Sequence, residues 1–532
     1  MTTTSEPDST ADTISARSPM ARLFDPQSIA IVGASTNPTK RGFQAIRALQ
    51  QAGYAYPVYP VNPNASEILG LPVVATVDDL PAGVDVALIA LPGAAVPDVL
   101  RRCAAVGIPS AVVLANGFKE TGGSGADLDA ALAEAITETG IRVIGPNTSG
   151  MVNVATGANL VGLQDIPNGP ISVVTQSGNM LLSLVNDNRA LKGPGFHAYV
   201  GLGNQADVRY DECVTELARH SGTGAIAVHS EGLTDGRRFL IAATRAVVDK
   251  PVIMLRGGRS EIGQRTALSH TGSVAGSDAV ATAVLRQAGI ELVDRSDELA
   301  AVAGALATTA PIARGRKVAI LSDGGGHATL AADALTAQGI ELAQISEQTQ
   351  QELRELLGSA AAVVNPVDVA GATDADPTVF AHAARVLMND PTVGLVLIVG
   401  LFGGYHIRFD ASLKDAEEAT ADRLLALTAS TGVPLLVQSC YAADPVSVHD
   451  RLRVGGVAVI NSIDHAARIV TALDRRGKRL DTATQRSALV LPASAPPAAE
   501  TAGVLDEPTA RRLVEAAGID IGGWAFARTV AE

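Results

Sequence analysis

The residues best suited to chemistry lie in two short segments. One is Ser269-His270-Thr271-Gly272, an imidazole among hydroxyls and glycine, just ahead of a plausible helix. An imidazole nitrogen can attack phosphorus and leave again. Small neighbours let backbone N–H groups approach an anion. The other is His229-Ser230-Glu231-Gly232, where an apolar run ends in a carboxylate. A carboxylate on one ring nitrogen fixes the tautomer and stabilises the charge that develops as the other attacks. A lone histidine in a polar loop is ordinarily just solvated, and Ser269 or Thr271 could simply cap a helix. With Glu231 for company, His270 reads instead as a phosphoryl acceptor. Arg256 and Arg259 precede the histidine and could meet phosphate, although a solvated face accounts equally well for Arg259.

Three further turns could hold anions. Gln176-Ser177-Gly178-Asn179 follows a β-branched run where a helix should start. It could bind an oxyanion, or Ser177 could only be an N-cap. Gly33-Ala34-Ser35-Thr36-Asn37-Pro38-Thr39-Lys40-Arg41-Gly42 is a small-residue loop with two cations, between a strand and a helix. Phosphate is favoured at such a helix start. Val61-Asn62-Pro63 and Leu91-Pro92-Gly93 end the next strands, where open parallel sheets bind ligands. A nucleotide-like ligand across these three turns is the reading. Asp323-Gly324-Gly325-Gly326-His327 and Asn365-Pro366-Val367-Asp368 mark similar strand ends, and a direct catalytic role for Asp323, His327 or Asp368 is the weaker account of them. The chain has no G-x-S-x-G elbow for a hydrolase, no Walker loop and no G-x-G-x-x-G for a dinucleotide.

The elements that must position these groups alternate throughout. Runs at 28–33, 84–91, 110–115 and 141–144 are short and apolar, with helix-like stretches at 42–52 and 95–105 between them. This is βαβ rhythm, so α/β architecture with doubly wound parallel sheets is expected. The rhythm restarts after Gly145-Pro146-Asn147, with runs at 171–175, 198–202, 225–230 and 252–256. It restarts again at 317–322, followed by 393–399, 434–438 and 457–460. The expected division is a disordered tail over 1–20, domains over 21–147, 148–310 and 313–482, and a Pro/Ala-rich linker over 483–503. A final segment, 504–532, has one helix framed by Pro508 and Gly518. A length of 532 residues suits several cores. Apolar residues reach 47% and aromatics only 3%, so Ala, Val, Leu and Gly must build those cores. A net charge of −14 without a basic stripe argues against nucleic acid as a partner. The three cysteines, 103, 213 and 440, are too dispersed for a metal or disulfide framework, which suits a reducing compartment. No apolar run reaches membrane-spanning length, and a cytoplasmic protein is expected.

In this order the segments 31–35, 145–147, 176–178, Gly203-Asn204-Gln205-Ala206-Asp207, Glu231-Gly232, Lys250-Pro251-Val252, 269–272, 323–326 and 365–368 resemble the NDP-forming acyl-CoA synthetases. That superfamily includes succinyl-CoA synthetase and ADP-forming acetate–CoA ligase. The likeness runs over about 21–480. It implies a Rossmann-like CoA-binding domain followed by two flavodoxin-like ones. Gly33, Ala34, Ser35, Lys40, Arg41, Val61, Asn62, Pro63 and Pro92 would bind CoA. His270 would be a transient phosphohistidine oriented by Glu231. Gln176, Ser177, Gly178, Asn179, Thr271 and Gly272 would hold the phosphoryl group. The implied reaction joins a carboxylic acid to CoA at the expense of ATP with Mg²⁺, releasing ADP and phosphate through an acyl phosphate. The family's nucleotide site is an ATP-grasp domain or subunit. Residues 503–519 resemble its first helix, so either the rest of an ATP-grasp domain was cut off or a partner chain supplies it, and a homo- or hetero-oligomer is expected. A non-catalytic acyl-CoA sensor on the same fold is the alternative. The acid itself, and ADP against GDP, are not legible.

Overall fold

The computed structural model describes residues 17–271, 277–374, 376–483, 505–516, 518–527 and 529, and at 124, 267–271, 482 and 483 the backbone alone. The chain forms two units, 1–483 and 484–532.

The larger unit holds three parallel sheets, one per βαβ stretch. The first runs Val58–Val61, Ile29–Val32, Val86–Ile89, Ser110–Val113, Arg142–Ile144. Numbered along the chain, that is 2-1-3-4-5. The third has the same order: Val367–Asp368, Lys317–Ser322, Val393–Gly400, Leu435–Ser439, Ala458–Ile460. In the second, Phe196–Gly201, Asn168–Thr175, Ala225–Ser230, Val252–Arg256 and Glu291–Val293 repeat it. An antiparallel ribbon, Met151–Asn153 with Ala158–Asn159, extends that sheet beside Phe196–Gly201. Central strands such as Val86–Ile89 and Ala225–Ser230 are buried at every position. Helices cover both faces, which is why these runs are apolar without alternation. The order 2-1-3 makes the first strand of each sheet the switch point, and a crevice opens beyond its carboxyl end.

Two expectations change here. A helix, Pro19–Phe24, starts inside the expected tail, capped by Ser18 and burying Leu23 and Phe24. Ser18 accepts the Ala21 N–H at 3.1 Å, and Arg17 reaches Asp85 at 3.2 Å. Residues 1–16 lie outside the described residues, as does the expected linker from 484. The ribbon and the strand Glu291–Val293 were also absent from the expected set.

The sheets share their cores. One apolar cluster runs from Leu23, Ile46 and Leu88 to Val200, Val214 and Ile226. Another joins Ile171 and Leu299 of the second sheet's layers to Leu395 and Leu473 of the third's. Polar ties cross the same boundaries. Asn153 Nδ2 donates to the Phe24 carbonyl at 3.0 Å. Arg142 pairs with Asp207 at 2.8 Å and Glu212 at 2.7 Å. Arg468 pairs with Glu291.

In the smaller unit, Glu507–Ala516 is helical. Asp506 accepts the Thr509 N–H at 2.9 Å, and Trp524 donates to Glu515 at 2.7 Å. No helix among the described residues is long and apolar enough to cross a membrane.

Candidate functional site

Among the described residues three cavities open at strand ends, one of them, about 530 Å³, lined by Ser230, Glu231, Gly232 and Arg256. The first, about 560 Å³, lies beyond the first sheet. Gly33, Ala34, Ser35, Lys40, Arg41, Val61, Asn62 and Pro63 all line it. Pro92 does not; it is exposed, ahead of the turn Gly93–Ala95. Gly33 has φ +87°, and a Cβ there would stand 2.7 Å from the Ala90 carbonyl oxygen. A Cβ on Gly42 would stand 2.3 Å from the Gly33 oxygen. Strand, turn and helix therefore close tightly, and the helix Arg41–Gln51 presents its N-terminus to the cavity. Asn62 Nδ2 donates to the Ala34 carbonyl at 2.6 Å, which ties the two turns together. Val61, Val77, Val99 and Leu91 supply apolar lining, and Arg102 joins Lys40 and Arg41 as a further cation. Cations at a helix start beside an apolar wall suit a phosphate-bearing ligand with a flat base, and so they fit CoA.

The second cavity, about 500 Å³, lies where the first two sheets meet. Gln176, Gly178, Asn179 and Glu231 line it, with Arg41 and Lys119 as its cations. Arg41 thus borders both cavities, and its guanidinium donates to the Ser149 carbonyl at 3.3 Å. The register pairs Thr175 with His229, so 176–179 and 231–232 leave the sheet side by side. Gln176 joins them: its Oε1 accepts the N–H of Glu231 at 2.8 Å and of Gly232 at 3.2 Å. Asn179 stands at the N-cap of the helix Met180–Ala190, without a side-chain cap bond. That leaves the helix N-terminus open to an anion. Ser177 neither caps the helix nor lines the cavity. Its N–H donates to Thr175 Oγ1 at 3.0 Å, and its carbonyl accepts from Tyr199 at 3.4 Å. Burial pushes the Tyr199 hydroxyl up to about 12, so it stays a neutral donor, 2.7 Å from Ser149 Oγ.

Sequence reasoning missed Lys119, Thr148, Ser149, Asn204 and Gln205, which also line this cavity. The segment Gly203–Asp207 signalled the last two, but nothing in it indicates what they face. Asn204 donates to Glu120, whose Oε1 also accepts the Gly117 N–H at 2.7 Å. Burial would raise the Glu120 carboxyl, yet these bonds hold it below the usual range.

The histidine segment is not the loop expected. Glu261–Thr271 is helical, so Ser269, His270 and Thr271 end a helix. Their side chains, and Gly272 entirely, lie outside the described residues. Arg256 shares a cavity with Glu231 and Gly232 but is paired with Asp278 at 2.8 Å, and Arg259 is paired with Asp294 at 2.5 Å. In the third sheet's crevice, Asp323 accepts from the Tyr405 hydroxyl at 2.6 Å and the Leu401 N–H at 2.8 Å. His327 Nε2 lies 3.4 Å from Cys440 Sγ. Asp368 accepts the Ala370 N–H at 2.9 Å. The Asp368 bond closes a local turn, whereas those of Asp323 tie the end of Lys317–Ser322 to the segment that follows Val393–Gly400.

Three family models match in succession: a CoA binding domain over 27–153, a succinyl-CoA ligase like flavodoxin domain over 168–306, and a Ligase-CoA domain over 318–417. The chain is 36% identical over 381 residues to the alpha subunit of ADP-forming acetate–CoA ligase II from Pyrococcus furiosus, covering 71% of this chain and 81% of that one. It is 37% identical over 352 residues to ADP-forming acetate–CoA ligase II of Archaeoglobus fulgidus, covering 65% of this chain but 52% of that one, about half its length. A solved structure of dinucleotide forming acetyl-coenzyme A synthetase 1 from Ca. Korarchaeum cryptofilum, in complex with phosphate and ADP, superposes with a TM-score of 0.78 at 28% identity. The match covers 89% of this chain and 99% of that one.

Proposed function

The chain belongs to the ADP-forming acetate–CoA ligase family, and from that membership we propose that it is the CoA-binding and phosphoryl-relay part of an ADP-forming acyl-CoA synthetase. The observation that carries the reading is the second cavity. It sets Glu231, an open helix N-terminus and two cations around one space, and shares Arg41 with the CoA-type cavity.

In the activating direction His270 receives the phosphoryl group and Glu231 orients its ring. The phosphoryl then passes from the imidazole to a carboxylate oxygen of the acid, giving an acyl phosphate. The CoA thiolate attacks the acyl carbon, and phosphate leaves with the C–O bond electrons. Relay through the histidine divides one difficult condensation into easier transfers. Arg41, Lys119 and the N–H groups at the start of Met180–Ala190 hold the charge of the moving phosphoryl group. Gln176 keeps the Glu231 turn in register with that helix. Thr271 and Gly272 complete the phosphate contacts as the helix carrying His270 ends. Lys40, with Gly33, Ala34 and Ser35, receives the CoA phosphates against Val61, Asn62 and Pro63.

ATP and its Mg²⁺ supply the phosphoryl group from an ATP-grasp domain or subunit, consistent with one relative being named as an alpha subunit. The working form is then an assembly with that part. A reducing, cytoplasmic setting suits the three free cysteines.

The test needs no nucleotide. The chain is incubated with acetyl-CoA, radiolabelled phosphate and Mg²⁺, and acid-labile, base-stable label is sought. Label on the wild type and none on His270→Ala is expected. Good CoA binding without label, or equal label on His270→Ala, would refute the relay and favour an acyl-CoA sensor.

A further inference from the structure

A further cavity, about 410 Å³, lies between the second and third sheets, apart from the strand-end sites. Asn188, near the end of the helix Met180–Ala190, lines it and is only 1% exposed. Among the described residues neither its carboxamide oxygen nor its nitrogen has a hydrogen-bond partner. The amide nitrogen lies against Gly193, also in the lining. A buried amide left unpaired carries its full desolvation penalty, so this group is built to meet something.

Thr308 also lines the cavity, but its hydroxyl donates to the Gly304 carbonyl at 3.2 Å; the other polar side chains here are cationic. Arg453 donates to Asp450 at 3.1 Å and to the Ala442 carbonyl at 2.7 Å, but its Nε has no partner among the described residues. Burial pulls its pKa below the ordinary value. Lys192 donates to the Asp444 carbonyl, and no carboxylate among the described residues pairs with it. Among the described residues no Asp or Glu lines the cavity, and Leu191, Pro194, Ala301, Val457 and Val459 make its walls apolar.

We propose that this cavity binds a small aliphatic 2-hydroxy acid. Its carboxylate meets Lys192 and the Arg453 Nε–H. Its hydroxyl, donor and acceptor at once, satisfies the Asn188 carboxamide, and its alkyl body lies on Ala301, Val457 and Val459. Such a ligand touches both flavodoxin-like layers and so holds them together. The proposal goes beyond the synthetase reading and does not rest on it.

The experiment is calorimetric titration of the whole chain with 2-hydroxyisovalerate, isovalerate and 2-hydroxyisovaleramide. The hydroxy acid is expected to bind saturably, at least tenfold tighter than either analogue, and to raise the melting temperature. Lys192→Met, on the surface, and Ala301→Leu, which fills the cavity, should each weaken it tenfold or more, while Arg41→Met leaves it unchanged. Asn188→Leu should abolish the preference for the hydroxyl. No saturable binding to the wild type, binding lost only in Arg41→Met, or affinity unchanged in both Lys192→Met and Ala301→Leu would overturn the proposal. So would a crystal structure grown with the hydroxy acid that shows only ordered water against Asn188.

Discussion

Replacing Gln176 by leucine isolates the part played by one oxygen. Gln176 is 9% exposed, and its Oε1 receives the N–H groups of Glu231 and Gly232. Leucine keeps the bulk but strands both donors where the second sheet ends. The 2.8 Å bond should dominate and the 3.2 Å bond add less. A lost bond to a partly buried donor costs about 1–3 kcal/mol. If the Glu231 turn recovers its place only by paying that cost, His270 labelling from acetyl-CoA and phosphate should slow by about 5- to 150-fold. Gln176→Glu restores an acceptor oxygen, so stability should return, while labelling stays slow because a second anion now faces the phosphoryl group. Urea denaturation reads the first quantity and single-turnover labelling the second. A Gln176→Leu protein as stable as wild type and labelled within twofold of its rate would refute the idea that this amide holds the turn.

Gly42→Ala places a Cβ 2.3 Å from the Gly33 carbonyl oxygen, a backbone atom that cannot step aside. CoA affinity by calorimetry should fall at least about tenfold, for a loss of about 1.4 kcal/mol or more. Arg41→Met should weaken phosphate and CoA binding together, because one guanidinium borders both cavities. A loss confined to one ligand would contradict that. Asp390 is buried, which alone would raise its carboxyl, but bonds from Thr392, Thr349 and the Ser346 N–H outweigh burial and bring it to about 2. A depressed folded value stabilises above the unfolded 3.8 and is lost as pH falls toward 2. Its share is about 2 kcal/mol. Asp390→Ala should therefore be less stable at pH 7 and flatter between pH 4 and 2 in chemical denaturation.

Much of this fold was legible because each strand is a short apolar run closed by small residues. Ala225–Ser230, Val252–Arg256 and Lys317–Ser322 were read to the residue. The ribbon was not, since Met151–Asn153 and Ala158–Asn159 are too short for a period to register. Strand order was also out of reach, because pairing joins residues far apart in the chain. The same distance hid Lys119 and Asn204, which reach the second cavity from the loops after two different sheets. Gln176 falls in a recognisable small-residue turn, but its partners follow from the register of Thr175 with His229. The histidine segment reads as a loop from its small polar residues, yet helical backbone continues through Thr271. Serine and threonine hydroxyls favour turns when read alone but can bond the carbonyl four residues back once a helix is formed.

The apolar clusters that run across sheet boundaries bear on how this chain comes apart. A fragment ending near 147 would carry Leu23, Ile46 and Leu88 without Val200, Val214 and Ile226 to cover them. A fragment ending near 310 would bare Leu299. Neither makes a clean excision. Melting of 17–483 should be one cooperative transition, with hydrogen exchange protection collapsing together in all three sheets. If nature or an engineer is to divide the protein, the scission that keeps the three-sheet interior whole falls after Ala483, where the larger unit ends.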